Sequence, residues 1–295
     1  MRKKATSDVI IFKSIGYPLI TLFAVLCLVP FLLIISSSFT NESSIIRYGY
    51  NLWPREFSTQ AYSIIFQNPS RILHAYGVTI FVTAVGTVLS VFINAMTGYV
   101  LSRKDFKWRN IFSFYFFFTT LFSGGLVPWY ILCVQVLGLK NTIWAMILPT
   151  LVSVWNILLV KGFMNGVPFE ITESAKIDGA GDFLIFYRLI LPLAKPVVAT
   201  IALFTALTYW NDWYMCMLFE DKKDLFSLQY LLYQMIGSIQ AMREIASQTS
   251  VAATSIPVES TKMALTIVVV GPIIFMYPYV QKFFVKGLTI GSVKG

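Results

Sequence analysis

Long apolar runs, separated by short polar segments, set the pattern of this chain. Several runs of about 20 residues are almost free of charge, which is enough for a helix to cross a hydrocarbon core of about 30 Å. We therefore predict an all-α polytopic membrane protein with six transmembrane helices. Their expected bounds are 15–38, 76–102, 110–133, 142–163, 197–219 and 263–286. A transmembrane β-barrel would instead show short segments of alternating polarity.

The third span is interrupted. Gly124, Gly125 and Pro128 fall inside the apolar sequence NIFSFYFFFTTLFSGGLVPWYILCVQVLGL. Glycine and proline both disfavour a helix interior, so we expect the helix to stop near the glycine pair. Residues 129–139 would then re-enter the membrane or lie at its outer interface, where Trp and Tyr are favoured.

Composition and charge support a membrane protein and give its orientation. Hydrophobic residues make up 57% of the chain and charged residues 13%, whereas a soluble domain carries about 25% charged residues. The net charge of +9 indicates basic cytoplasmic loops rather than nucleic-acid binding. With the N-terminus inside, 15 of the 23 Lys and Arg residues fall in inner segments, namely 1–14, 103–109, 161–196 and 282–295. We expect both termini in the cytoplasm, and a first span that is too long to be a cleaved signal peptide.

Loop lengths divide the chain into three regions. Residues 1–75 would hold the N-terminal tail, the first span and an outer loop. Residues 76–286 would form the core, with a long inner loop at 164–196 and a long outer loop at 220–262. Residues 287–295 would be a cytoplasmic tail. In the outer loop, the apolar residues of FSLQYLLYQMIGSIQAM recur at roughly helical intervals, which predicts a helix outside the membrane.

The inner loop 164–196 is predicted to form two short helices. Pro168 suits a first helical turn, and Gly179 supplies a turn or C-cap after Asp178. A second helix should begin near Asp182, with apolar residues at helical spacing, namely Phe183, Phe186, Leu189 and Ile190. Pro192 and Pro196 should end it and open the fifth span. A solvated loop that carries a few charges is the alternative interpretation.

This inner loop resembles the EAA loop of ATP-binding-cassette (ABC) importer permeases. The pattern E-A-A-x-x-x-G, nine residues and then I-x-L-P is matched at Glu173, Ala175, Gly179, Leu191 and Pro192, with Ser174 and Leu189 as mild departures. The extended form in sugar permeases is also met at Asp178, Ala180, Phe186 and Pro196. The sequences FSGGLVP and QKFFVKGLTIGSVKG further resemble the YtcP/LplC subgroup of carbohydrate-uptake (MalG-like) permeases.

The resemblance implies a complex in a bacterial plasma membrane. Its other members would be a second homologous permease, two copies of a cytosolic ABC ATPase and an extracellular solute-binding protein. The EAA loop would dock on the ATPase, and the outer helix would meet the binding protein. The cargo would be a sugar, with oligosaccharides suggested by the subgroup. ATP and Mg²⁺ would bind to the partner ATPase, so no cofactor is expected in this chain.

Catalytic and metal-binding patterns are absent from the sequence. There is no G-x-x-x-x-G-K-[ST], so no phosphate-binding loop is encoded. The single histidine, His74, is expected at the outer membrane interface. Cys27, Cys133 and Cys216 lie in or beside apolar runs without metal-like spacing. We predict no catalytic residue and no metal site, and a chain that is not an enzyme by itself.

Polar and aromatic residues at the end of the fifth span are candidates for the substrate pathway, because sugars stack on aromatic faces. They are Trp210, Asn211, Asp212, Trp213 and Tyr214. An aromatic belt at the outer membrane surface is an equal alternative. Asn156 in the fourth span and Asn94 in the second are further candidates, but such residues more often form hydrogen bonds between helices.

Two other classes of protein fit the sequence less well. A secondary transporter usually shows internal repeats and ionisable residues near the bilayer midplane. Here there is no repeat, and Asp212, expected near an edge, is the only acidic residue in a predicted span. An intramembrane enzyme would need a catalytic set, which the chain lacks. The permease subunit is the preferred hypothesis.

Overall fold

A computed structural model describes the backbone of residues 7–248 and 257–291, and the side chains of 12–245 and 257–274. The described part is helical, and its only extended pairing is an isolated bridge between Thr40 and Phe57. The helices of the first half are α1 (Ser7–Ser38), α2 (Glu42–Tyr48), α3 (Gln60–Ile65), α4 (Pro69–Ser102), α5 (Arg109–Leu121), α6 (Leu126–Ile131) and α7 (Val154–Met164). Those of the second half are α8 (Glu170–Ile177), α9 (Asp182–Leu184), α10 (Leu191–Leu193), α11 (Lys195–Trp210), α12 (Tyr214–Phe219), α13 (Leu228–Gln248) and α14 (Val258–Gly291).

Several helices are long and apolar enough to cross a membrane. Phe12–Ser38 and Pro69–Ser102 qualify alone. Three helix pairs qualify together but are bent at a short break: Arg109–Leu121 with Leu126–Val136 by 115°, Ile143–Thr150 with Val154–Met164 by 47°, and Asp182–Leu193 with Lys195–Trp210 by 87°. The described residues thus contain two such spans, or up to five. The sixth predicted span, 263–286, falls on α14, whose side chains are described only to residue 274.

The predicted break in the third span is confirmed. α5 ends at Leu121 and α6 begins at Leu126. Gly125 adopts a φ of 87°, which a residue with a Cβ disfavours. The glycine pair therefore provides the sharp change of direction that the sequence indicated.

The predicted fifth span, 197–219, is wrong as one continuous helix. α11 ends at Trp210, and α12 begins at Tyr214 after a short turn. Asp212 lies in this turn, where its Oδ1 accepts a hydrogen bond from the Met215 amide at 3.1 Å. An Asp that bonds the backbone three residues ahead favours a turn over a continuing helix.

The described chain forms two compact units, and the first comprises residues 1–69 and 234–272. Within it, the buried Glu42 carboxylate accepts hydrogen bonds from the amides of Glu259 and Ser260, at 2.9 and 3.0 Å. These amides belong to the first turn of α14, which has no preceding carbonyls to bond. Glu42 therefore caps a helix that lies more than 200 residues away in sequence.

The second unit comprises residues 70–233 and 273–295. Its largest described core joins α4, α7, α11 and the segment between α7 and α11, through buried residues Ala95, Tyr99, Val160, Met164, Ala175, Ile185, Phe186, Ile190, Ala194, Val197 and Ile201. Gly98 allows α4 and α7 to pack closely, because a Cβ there would lie 2.7 Å from the Val160 side chain. Small residues at such contacts are typical of membrane helices.

Candidate functional site

Segment 164–196 begins with α8, whose ends follow from its sequence. Glu170 and Glu173 lie in its first turn, and Lys176 lies in its last, which suits the helix dipole. Gly179 follows with a φ of 79°. The Ala180 amide then donates to the Ala175 carbonyl at 2.9 Å. This six-residue hydrogen bond is the Schellman ending that a glycine in the left-handed region permits.

Segment 164–196 has two helical limbs, of which α8 is the first and residues 182–193 are the second. The second limb is a helix whose central part is π-helical. α9 (Asp182–Leu184) continues as a π-helical stretch, Ile185–Ile190, and then as α10. A π-helix has more residues per turn than an α-helix, so the buried positions are Ile185, Phe186 and Ile190. Of the four apolar residues at helical spacing, Phe186 and Ile190 are buried, whereas Phe183 is 63% exposed and Leu189 is 38% exposed. The break before α11 falls between Leu193 and Lys195, as the prolines predicted.

The base of segment 164–196 is packed into the core of the second unit. The Phe186 ring stacks on Tyr99 of α4, with ring centroids 5.5 Å apart. Ala175 of α8 and Val160 of α7 belong to the same buried cluster. The base of the segment is therefore close-packed against α4 and α7.

The residues that match the EAA pattern divide between the buried base of segment 164–196 and its exposed turn between α8 and α9, here called the tip. Ala175 is buried, and Ala180 and Leu191 are half-buried. The exposed members are Glu173, Ser174, Asp178, Gly179 and Pro192. Beside them, Ile177 is 86% exposed, which is unusual for a large apolar side chain at the end of a polar helix. The tip thus presents charged and apolar groups together.

Four charged side chains that the sequence analysis did not connect meet beside this tip. Arg103 donates through Nε to Asp105 Oδ1 at 2.9 Å and through Nη1 to Asp182 Oδ1 at 2.6 Å. Lys176 Nζ donates to Asp105 Oδ2 at 2.7 Å. Hydrogen bonds from Arg103 and Lys176 hold the pKa of Asp105 well below its ordinary value. The signal in the sequence is the close spacing of Arg103 and Asp105 within one short basic loop.

The two candidate asparagines within the predicted spans both join helices or turns. Asn156 of α7 is buried, and its Nδ2 donates to Thr205 Oγ1 of α11 at 3.2 Å. Asn94 of α4 is fully buried, where its Oδ1 accepts from the Ser153 amide at 3.0 Å. These are the interhelical hydrogen bonds that the alternative interpretation describes.

The segment 210–214 combines aromatic rings with polar groups that lack partners. The Trp213 ring, 38% exposed, stacks on Tyr233 with centroids 4.8 Å apart. Asn211 Oδ1 accepts from Gln229 Nε2 at 3.2 Å, and Tyr214 packs edge-on against Trp213. Trp210 Nε1 and Asp212 Oδ2 are buried without a hydrogen-bond partner among the described residues. Buried polar atoms are usually hydrogen-bonded, so these two atoms are exceptions within the described residues.

The structure also places the single histidine and the three cysteines. His74 Nε2 lies 2.7 Å from the Asp224 carbonyl oxygen. In the part of the chain that the structure describes, no group of three His, Cys, Asp or Glu side chains could hold a metal ion. Cys27, Cys133 and Cys216 are all free thiols.

Comparisons with known proteins match nearly the whole chain. Residues 86–290 match the family described as binding-protein-dependent transport system inner membrane component. The chain is 37% identical over 285 residues to the polygalacturonan/rhamnogalacturonan transport system permease protein YtcP of Bacillus subtilis (strain 168), covering 97% of this chain and 99% of that protein. It is 38% identical over 270 residues to Protein LplC of the same organism, covering 91% and 90%.

A solved structure has the same fold. It is a chain from a bacterial ABC transporter involved in the import of the acidic polysaccharide alginate, with a TM-score of 0.78 and 26% sequence identity. The match covers 95% of this chain and 99% of that chain. The chain thus has the all-α fold of an ABC importer permease.

Proposed function

We propose that this chain, which belongs to the family of binding-protein-dependent transport system inner membrane components, forms half of the translocation pathway of an ATP-driven importer for oligosaccharides. It is a permease subunit of an ABC transport system for sugars, given its family and its similarity to YtcP and to the alginate importer. Both of those relatives are named for polymers of acidic sugars. Oligosaccharides that contain uronic acids are therefore the first cargo to test.

The function rests on the geometry of segment 164–196. Its tip exposes Glu173 and Ile177, whereas Phe186 at its base is buried against α4. We infer that the tip docks on a cytosolic ATPase, so that closure of the ATPase moves α4 and α7. An exposed mixture of charged and apolar side chains on a rigid base suits such an interface.

ATP and Mg²⁺ belong to the partner ATPase in this proposal, and this chain contributes no catalytic group. The sequence encodes no phosphate-binding loop, which supports that division of labour. The complete complex would contain a second homologous permease, two ATPase copies and an extracellular binding protein, in a bacterial plasma membrane. Both termini of this chain would face the cytoplasm, as the distribution of Lys and Arg favours.

The sugar pathway would include the segment 210–214. Stacking of Trp213 on Tyr233 supplies an aromatic surface, and the unpaired atoms of Trp210 and Asp212 could bond hydroxyl groups. Replacing Trp213 by Ala should raise the sugar concentration needed for half-maximal uptake, with assembly unchanged. The same replacement at the exposed Trp53, which is 83% exposed, is the control. Equal effects of the two replacements would point to an aromatic belt.

We propose that α13, which falls in the predicted outer loop 220–262, lies outside the membrane and meets the binding protein. Deletion of residues 227–240 should abolish uptake while insertion into the membrane survives. Normal uptake by the deletion variant would refute this role.

The decisive experiment is purification of the tagged chain from gently solubilised membranes, followed by reconstitution. A second permease and an ATPase should copurify, and uptake of a mixture of neutral and uronate oligosaccharides should need ATP. Collapse of the ion gradients should leave uptake intact while ATP lasts. Uptake by the chain alone, without ATP, would instead identify a secondary transporter.

Two variants of segment 164–196 test its proposed role. Glu173→Lys reverses an exposed charge at the tip, and Gly179→Pro removes the φ of 79° that ends α8. Both should separate ATP hydrolysis from sugar uptake. Normal sugar-stimulated ATP hydrolysis in both variants would count against docking at this site.

A further inference from the structure

We propose that Arg103 and Asp105 are positioning residues, which attach both helices of segment 164–196 to the end of α4 through an ionic network with Lys176 and Asp182. The inference rests on the proposed function, because the attachment matters for transport only if the segment receives movement from an ATPase. It assigns a role to the connection between α4 and α5, which otherwise serves only as a basic loop.

The network is built around one well-held guanidinium. The Arg103 side chain is 11% exposed and bonds Asp105 with two of its nitrogens and Asp182 with a third. A planar guanidinium holds carboxylates in a fixed geometry that an ammonium group does not reproduce. Its carbon also lies 5.8 Å from the centroid of the Tyr99 ring, and Tyr99 stacks on Phe186. Arg103 thus contacts the second limb of the segment directly, and reaches it again through an aromatic pair.

Lys176 joins the first limb to the same centre. It lies in the last turn of α8, 2.7 Å from Asp105 and 3.8 Å from Asp182. The two cations and two anions balance, so no charge is left uncompensated. Isolated ion pairs at such exposure contribute little to stability. Networks of charges that include a bidentate arginine contribute more. The two limbs and the connection therefore move together.

α4 can carry this movement along its length from Ser102 to Gly86. Gly98 packs on Val160, and Gly86 packs on Tyr209 so closely that a Cβ would lie 2.7 Å from its ring. Tyr209 is adjacent to the segment 210–214. From Gly86 to Ser102 the helix spans about 24 Å, at about 1.5 Å per residue. The network thus fixes the segment to one end of a helix whose other contacts reach the candidate sugar pathway.

The test measures sugar transported per ATP hydrolysed, in the reconstituted complex with the mixture of neutral and uronate oligosaccharides. Arg103→Gln, Asp182→Asn and the double variant form a thermodynamic cycle. Each single variant should lower the ratio by about two- to five-fold, the range for a partly exposed ion pair. The double variant should lower it no further. Arg103→Lys keeps the positive charge but loses the planar guanidinium that bonds two carboxylates. Its ratio of sugar transported to ATP hydrolysed should lie between those of Arg103→Gln and the unchanged protein.

Lys104→Gln is the matched control. It removes one positive charge from the same connection, and Lys104 forms no ion pair in the part of the chain that the structure describes. Its ratio should equal that of the unchanged complex. If Arg103→Gln does not assemble, Asp182→Asn and Arg103→Lys carry the test, because Asp182 is 63% exposed.

The outcomes separate the two proposals. Lack of ATP-driven uptake by the unchanged complex would sink the proposed function. The proposed role of the network alone would be refuted by a different result. In that case the unchanged complex takes up sugar normally, and the transport ratios of Asp182→Asn and Arg103→Lys equal that of Lys104→Gln. Fully additive effects of Arg103→Gln and Asp182→Asn would also overturn it, since the two side chains would then act independently.

Discussion

Loss of the Glu42 carboxylate should destabilise the first unit, because that group caps α14. Its oxygens accept from two amides and from Ser260 Oγ, all at 2.9–3.0 Å, and the side chain is 5% exposed. Hydrogen bonds to a charged group contribute about 1.5–3 kcal/mol each, and their contributions are not additive. A carboxylate at a helix N-terminus adds about 0.3–1 kcal/mol. We expect Glu42→Ala to lower the free energy of unfolding by about 2–4 kcal/mol, since part of the loss is recovered by water.

The measurement is thermal unfolding of the purified chain in detergent. At about 2 °C per kcal/mol for a chain of this size, Glu42→Ala should lower the midpoint by roughly 4–8 °C. Glu42→Gln retains one acceptor oxygen and should lose about half as much. Glu56→Ala is the matched control, because Glu56 belongs to the same unit and is exposed. A midpoint for Glu42→Ala equal to that of Glu56→Ala would refute the capping role.

Three further predictions follow from the geometry of the second unit. Gly98→Ala should lower the free energy of unfolding by about 1–3 kcal/mol through overpacking against Val160. Gly77→Ala is the control, because Gly77 has open space around it on the same helix and its replacement should not destabilise the protein. Equal midpoints of thermal unfolding for the two variants would contradict the close approach of α4 and α7. Gly179→Ala should lower the free energy of unfolding by about 1–2 kcal/mol, because a φ of 79° is unfavourable for a residue with a Cβ. Gly181→Ala is the control, since Gly181 does not have a positive φ. Equal midpoints of thermal unfolding for the two variants would argue against the Schellman ending. Asp105→Asn should lower the free energy of unfolding by a constant amount from about pH 5 to 8. The pKa of Asp105 is lowered in the folded state, so its contribution to stability is complete above the unfolded pKa of about 3.9 and is lost as the pH falls through the folded pKa. A difference from the unchanged protein that varies between about pH 6 and 8 would show that another group titrates.

The segment 164–196 illustrates what local sequence signals can predict. Gly179 ends one helix, and the prolines mark the break before α11, because both residues restrict the backbone irrespective of what surrounds them. Which residues face the core was predicted less well. The π-helical stretch Ile185–Ile190 changes the spacing of buried positions, because it departs from the period of the α-helix on which sequence patterns rest.

The candidate sugar pathway shows a similar division. The sequence identified aromatic and polar residues near the end of the fifth span, but it did not indicate that Tyr233 would stack on Trp213. It also treated Asn156 as an uncertain candidate, and only the contact with Thr205 of another helix assigns its amide a partner. Contacts between residues that are distant in sequence are not encoded in the period of a single helix.

By itself, the sequence determined the membrane class, the helix breaks at the glycine pair and before α11, and the importer-permease family, since length, hydropathy and backbone preference act along the chain. The tertiary structure decided which charges pair and which helix ends are capped. Glu42 and Ser260, like Arg103 and Asp182, meet only because folding brings distant segments together. Their energies depend on distance and burial in three dimensions, which no pattern of neighbouring residues specifies.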